Sequence, residues 1–417
     1  MIRQRQLSHY LPRFTMLIAA MALLVALTLG YVGALLWLAR GLRVAQQFHG
    51  NEQARPVPPA TASPPAVSVV VCARNEEAHL PRLLADLARQ DYPPDRLEFL
   101  LIDDRSSDGT GALMAAFTTQ HPNARHLRMH DTRPDFAPKK RALDHAIRRA
   151  HGDLILLTDA DAHVGPTWVS EMAAQFRPGV VMVCGYSPYH PRTTWLQNIL
   201  ALEYFSLAAV AAGSIGAGRP LTCTGSNFAY RREAYLAIDG FAGIAHFVSG
   251  DDDLLLHKMH AQRRGRIAYA GHPAVQTAVR PPASWREFHA QRTRYASKGR
   301  HYEPGVTLGL VAVYLLNLLL LTGLLSFMFG AKALPALALL CGSVKATGEF
   351  LLLRRAAAWF QEQGLLKYFV PAALLHPLYV VYFATRAPFA KFTWRGQSFA
   401  TTTAHQPVAA HRPQHAG

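Results

Sequence analysis

Hydrophobic positions along this chain follow two different rhythms. Residues 14–39, "FTMLIAAMALLVALTLGYVGALLWLA", carry no charge and exceed the roughly 20 residues that cross a bilayer as a helix. A second uncharged block covers 305–331. Two weaker blocks follow. Residues 333–353 contain Lys345 and Glu349, four apart and able to pair on one helical face. Residues 368–385 are interrupted by Pro371, His376 and Pro377. These four blocks predict membrane-spanning helices. Arg3, Arg5 and Arg13 precede the first, yet its apolar core is longer than the about 7 to 15 residues of a secretory signal, so it reads as a retained anchor.

Between the blocks the rhythm shortens. After a linker rich in proline and alanine ending at Ala66, apolar runs "VSVVVCA" (67–73), "EFLLIDD" (98–104), "RHLRMH" (125–130), "LILLTDAD" (154–161) and "VVMVCGY" (180–186) alternate with helical stretches such as "EEAHLPRLLADLARQ" and "KKRALDHAIRRA". Strand and helix in alternation predict an α/β domain with a largely parallel sheet covered on both faces. Ligands of such sheets bind beyond the carboxyl ends of the strands, where Asp103 and Asp104 close one run and Asp159 and Asp161 another. Side chains alternate along a strand, so Asp159 and Asp161 are expected on one face. Their repulsion falls if a cation sits beside them; the competing reading is a plain turn or helix cap.

Composition narrows this picture. The chain has 417 residues, half of them hydrophobic, and a formal net charge of +16, a sign that suits nucleic acid or an anionic membrane surface. Much of the basic character flanks the apolar blocks, which favours the membrane and argues against nucleic acid. Cys72, Cys184, Cys223 and Cys341 show no close spacing, hence no CxxC metal pattern or disulfide framework, as suits a reducing environment. Neither GxGxxG nor GxxxxGK[ST] occurs. A sheet that binds phosphates without a glycine loop needs another neutralising device, and a divalent cation on an acidic pair supplies one.

The segments "VSVVVCARNEEAHL", "LLIDDRSSDGT", "PKKRAL", "LLTDADAHV", "GSNFAYRREAYLAIDGF", "SGDDDLLLHKM" and "QRTRY" together resemble glycosyltransferase family 2. The resemblance covers most of 67–299 and implies the nucleotide-sugar-binding fold called GT-A. It implies that Asp103, Asp104, Ser106 and Asp108 hold the donor base and ribose, although Asp108 serves equally as a cap of the next helix. It implies that Asp159 and Asp161 bind a divalent metal, Mg²⁺ or Mn²⁺, bridging the diphosphate, with Asp161 the direct ligand. Lys139 adds positive charge near the nucleotide, or else belongs with Lys140 and Arg141 to a solvated helix face.

In "GDDD" the acids precede an apolar helical run, and a helix N-terminus stabilises negative charge. By resemblance Asp252 is the general base that deprotonates the acceptor, with Asp251 beside it and Asp253 the competing register. Gln291 and Arg294 match the family's QxxRW pattern, where Tyr295 replaces Trp. Arg294 is expected at the diphosphate, Tyr295 and Asn227 on the acceptor side. The same stretch, "SWREFHAQRTRYASKG", also reads as an interfacial amphipathic helix.

The resulting expectation is an integral membrane protein of a bacterial inner membrane. Residues 1–40 form a tail and anchor, 41–66 a linker, 67–300 a cytoplasmic catalytic domain ending in the interfacial helix, 301–390 C-terminal spans and 391–417 a tail. Its function is inverting transfer of a sugar from a nucleotide-diphospho-sugar, UDP-linked by expectation, to a hydroxyl of a lipid or lipid-linked acceptor. A polysaccharide synthase and a non-catalytic nucleotide-sugar-binding protein are the alternatives. A cytoplasmic domain puts Arg3, Arg5 and Arg13 outside, against the positive-inside tendency, and four spans put Arg386, Lys391 and Arg395 outside as well, unless 333–353 is re-entrant.

Overall fold

The computed structural model of the chain describes residues 2–50, 63–130, 133, 135–297, 302–386, 391–394 and 397–400; of these, 2–14, 49–50, 297, 391–394 and 397–400 are described by backbone alone. Residues 51–62 of the expected linker, Arg395 and the end of the tail lie outside the described residues, as do the side chains of Arg3, Arg5, Arg13 and Lys391.

The region between the long apolar helices is built on strands β1 (Val67–Ala73), β2 (Leu97–Asp103), β3 (Ala124–Arg128), β4 (Leu154–Asp159), β6 (Val180–Gly185), β7 (Phe228–Arg231) and β8 (Arg266–Ala270), with a two-residue ladder of β5 (His163–Val164) and β9 (Thr277–Ala278) beside them. The sheet runs β3-β2-β1-β4-β7-β6-β8. Only β7 is antiparallel to its sheet neighbours. Strand β1 is a valine run because both its faces are covered: Val69, Val70 and Val71 are fully buried. Helices α2 (Leu80–Leu87), α3 (Thr110–Gln120) and α5 (Trp168–Ala174) contribute to the core on one face. The other face meets α4 (Pro138–Arg149), α6 (Trp195–Gly216), α7 (Arg232–Ala237) and α8 (Asp253–Ala261). The helix expected from Glu76 begins only at Leu80, because Asn75 turns through positive φ at 54° and 76–79 form a turn.

The long helices are α1 (Ile2–Gly50), which precedes the sheet, and α10 (Pro304–Leu325), α11 (Ala333–Phe360) and α12 (Phe369–Arg386), which follow it after α9 (Trp285–Ser297). Leu29, Leu36, Leu308 and Leu374 point outward, each at least two-thirds exposed, as lipid-facing side chains would. Helix α11 is unbroken and about 42 Å long at 1.5 Å per residue, long enough to cross a bilayer. Among the described residues five helices, not four, are long and apolar enough to cross a membrane; the addition is α6, mostly buried inside the protein.

Helix α1 does not yield to a linker at residue 41. It continues to Gly50, and Leu42 and Ala45 are buried. The cause is α6, which meets α1 backbone to backbone: a Cβ on Gly41 would stand 1.9 Å from the Gly213 carbonyl oxygen, and one on Gly216 would stand 2.0 Å from that of Gly41. Phe360 at the end of α11 packs on Tyr186, Phe205 and Tyr269. The ends of the long helices thus share one core with the sheet.

Candidate active site

Register places the site. Strand β1 pairs with β2 so that Ala73 faces Asp103, and with β4 so that Cys72 faces Asp159. Three parallel strands therefore end level, and their acids emerge together. Strand β4 stops at Asp159 and the chain turns at Ala160 and Asp161. Strand alternation is thus not what unites the two acids; the turn brings both to the wall of one cleft. Burial, then the Asp159 carboxylate, push the Asp161 carboxyl up from its ordinary value.

Lys139, at the start of α4, reaches across this edge. Its Nζ lies 2.9 Å from Asp159 Oδ1 and 2.8 Å from Asp251 Oδ2. Burial alone would lower its pKa, but the two carboxylates win and hold the ammonium well above its usual range. The solvated-face reading fails for its neighbours too. Lys140 is fully buried and donates to the carbonyls of Ile244 and Ser249, and Arg141 is nearly as enclosed. Helix α4 begins under that loop, whose carbonyls replace water.

Helix α8 supplies the acids of "GDDD". Asp252 is its N-cap, with Oδ1 accepting from the Asp253 amide at 2.7 Å. Its Oδ2 lies beside Gly225, where a Cβ would come within 3.2 Å. Asp251 is engaged by Lys139, and the buried Asp253 accepts from the Tyr302 hydroxyl. All three line the cleft.

The remaining expected residues divide. Asp104 lines the cleft, held by Arg105 at 2.9 Å. Asp103 is turned into the fold, where Oδ1 accepts from the Ser106 amide and Oδ2 faces Arg128. Ser106 and Asp108 also serve the turn: Ser106 Oγ accepts from the Asn75 amide, and Asp108 accepts from Thr110 and from the Glu77 amide. Asn227 is corrected from the acceptor side to the interior. It is fully buried, donating to the Tyr186 and Val275 carbonyls and accepting from the Trp168 indole. Gln291, Arg294 and Tyr295 all line the cleft. Gln291 Oε1 accepts from the Tyr189 hydroxyl at 3.0 Å, and the Arg294 guanidinium sits 5.6 Å from the Tyr295 ring.

The cleft holds about 1990 Å³, above the roughly 300 to 1,000 Å³ of a small-molecule site. It runs from Asp104, Asp159 and Asp252 past Tyr189 and Tyr295 to Tyr31, Tyr314 and His376 on the long helices.

Residues 64–297, more than half of the chain, match the family described as Glycosyltransferase like family 2. The chain belongs to glycosyltransferase family 2. Among relatives of this family 2 protein, the probable glycosyltransferase YdaM of Bacillus subtilis is 28% identical over 57% of this chain and 56% of its own. An N-acetylglucosaminyltransferase of Rhizobium leguminosarum is 30% identical over 52% of each. A beta-monoglucosyldiacylglycerol synthase of Trichormus variabilis is 29% identical over 56% of this chain and 49% of its own. The chain thus spans about half the length of the curated relatives it matches. The mannosyltransferase PcManGT of Pyrobaculum calidifontis, solved with GDP-Man and Mn²⁺, shares the fold at a TM-score of 0.56 and 24% identity, covering 86% of this chain and 99% of its own.

In this family 2 protein the sequence pattern gave no sign of Arg292. It is buried and ion-paired with Glu203 of α6, whose other oxygen accepts from the Tyr379 hydroxyl of α12 at 3.0 Å. Tyr204, Phe288 and Tyr295 surround the guanidinium at 5.3 to 6.0 Å. The only available signal was an arginine beside the Gln291 that faces the site. Its partners are about 90 residues away on two other helices.

Proposed function

We propose that the protein is an inverting glycosyltransferase that moves a sugar from a nucleotide-diphospho-sugar, UDP-linked by preference, to a hydroxyl of a lipid or lipid-linked acceptor at the cytoplasmic face of a bacterial inner membrane. One observation carries this reading: the acids at the strand ends and the apolar walls of α1, α10 and α12 line a single cleft. A soluble acceptor would need no such continuation. The names of two relatives, an N-acetylglucosaminyltransferase and a glucosyldiacylglycerol synthase, agree with this class of chemistry.

The residues fit a divalent cation of the Mg²⁺ or Mn²⁺ type. Among the described residues no group of three or more histidine, cysteine or acidic side chains could enclose a metal, so the Asp159 and Asp161 pair would hold the ion without a third such side chain. Such ions are commonly held by one or two carboxylates completed by phosphate oxygens and water. With Asp159 tied to Lys139, Asp161 would be the direct ligand. When bound, the metal neutralises charge on the departing nucleoside diphosphate. Asp252 receives the proton of the acceptor hydroxyl as its oxygen bonds to the sugar carbon from the face opposite the diphosphate, which inverts that carbon. Lys139 fixes Asp251 beside the base, and Arg294 pairs with the diphosphate. Incubating the purified full chain in lipid vesicles with labelled nucleotide sugars tests the reading. Label is expected in the organic phase as a discrete glycolipid; label in water-soluble polymer, or release of free sugar alone, overturns it.

A further inference from the structure

Inside the long-helix half of the cleft lies a polar cluster that sugar transfer does not use. Lys345 and Glu349 pair along α11 at 2.9 Å. The Tyr31 hydroxyl of α1 donates to Glu349 Oε1 at 2.6 Å, and Lys345 Nζ lies 3.1 Å from His376 Nδ1 of α12. Tyr31, Glu349 and His376 line the same cleft as Asp252. Ionisable side chains within spanning helices are expensive and mark functional sites more often than chance. An ion pair built only to bind helices together would need no open wall.

We propose that this cluster is a second binding site, one that takes an uncharged oxygen group, a hydroxyl or ester carbonyl, of the lipid acceptor. It rests on the lipid-acceptor reading and deepens it. The ammonium and the carboxylate cancel, so the cluster offers no net charge to a phosphate. An ammonium can only donate, hence Nδ1 of His376 accepts and its proton sits on Nε2. The site therefore combines a ring N–H donor with the second oxygen of Glu349, a pair that a hydroxyl satisfies in both roles and an ester carbonyl in one. With Lys345 already neutralised by Glu349, the charge of a phosphate would stay uncompensated in an apolar surround. Arg292, a further cation of the cleft, is already matched by Glu203. The acceptor class selected is a neutral lipid rather than a lipid phosphate.

The test uses the full chain in vesicles, without sugar donor, and two photoactivatable probes with identical tails: a diacylglycerol and the corresponding phosphatidic acid. The diacylglycerol is expected to label peptides of α11 and α12 about tenfold more than the phosphatidic acid. Lys345→Met combined with Glu349→Met should remove that labelling while nucleotide binding and thermal stability hold. If the double variant does not fold, His376→Phe alone should reduce labelling several-fold. Equal or inverted preference, labelling of neither probe, or labelling unchanged in the variants overturns the proposal. So does loss of labelling in His376→Phe that comes only with a parallel fall in stability and nucleotide binding, which would give the cluster a purely structural role. Because no transfer is measured, failure here leaves the transferase reading standing, and failure to glycosylate lipid with probe binding intact overturns only that reading.

Discussion

The two halves of the cleft treat buried charge in opposite ways. At the strand ends Asp159 and Asp251 converge on one ammonium, Lys139, while Asp161 and Asp252 line the same wall. In the long-helix half two ion pairs balance, Lys345 with Glu349 and Arg292 with Glu203. Excess carboxylate is unstable unless something cationic arrives or a proton is to be taken up. Balanced pairs satisfy themselves and leave a neutral wall. The contrast separates a half made for a charged donor from a half made for an uncharged, apolar molecule.

The sharpest way to break the comparison is to disable the donor half at its base. Asp252→Asn should keep donor binding and lower turnover by about 10²- to 10⁴-fold, the range for loss of a general base. Asp253→Asn should act more on stability than on the chemical step, because Asp253 is buried against Tyr302. Single-turnover rates decide, and a larger loss of chemistry at Asp253 would move the base by one residue. Asp161→Asn comes next: donor affinity should lose its dependence on Mn²⁺, a fall of about 10- to 100-fold, read by titrating nucleotide sugar with and without the ion.

Between the halves stands the glycine contact. Gly213→Ala would drive a Cβ to 2.7 Å from the Leu38 carbonyl oxygen, and backbone cannot rotate away. A loss of about 1 to 3 kcal/mol is expected, measured by thermal unfolding in detergent beside Gly218→Ala. At Gly218 a Cβ meets nothing within 4 Å, although its φ of +76° brings strain of its own. Equal destabilisation of the two would show that the α1–α6 contact is not tight. Arg294→Lys keeps the charge and loses the planar fork, so transfer should fall by about tenfold; full turnover in the lysine variant would remove Arg294 from the diphosphate.

The smallest effect is expected at Asp108, well away from the apolar half. Burial raises its pKa slightly, but hydrogen bonds from Thr110 and Glu77 outweigh this and hold the carboxyl below its ordinary value. The folded state therefore binds this proton less readily than the unfolded chain does. Its stabilisation is present at neutral pH and lost as pH falls through the lowered value. Asp108→Ala should cost about 1 kcal/mol at neutral pH and progressively less in acid, followed by chemical denaturation across pH.

Local pattern made much of this protein legible. The valine run of β1, the apolar runs of β2, β4 and β6, and the uncharged stretches of α1 and α10 each depend on neighbours a few residues away, because burial and helix period are written at that range. The acids at strand ends were legible for the same reason. Other features were decided only when distant segments met. Asn227 reads as a polar residue near a motif, but the Tyr186 and Val275 carbonyls and the Trp168 indole consume it. Lys140 reads as solvated until the 244–249 loop closes over it. Helix α1 continues past residue 41 because Gly213 and Gly216, far along the chain, let α6 approach it. Sequence alone determined which segments are apolar and where carboxylates fall along them. Which charges are shared, which are sealed and which face the cleft depended on tertiary contacts, since a buried charge is set by partners that chain order does not place beside it.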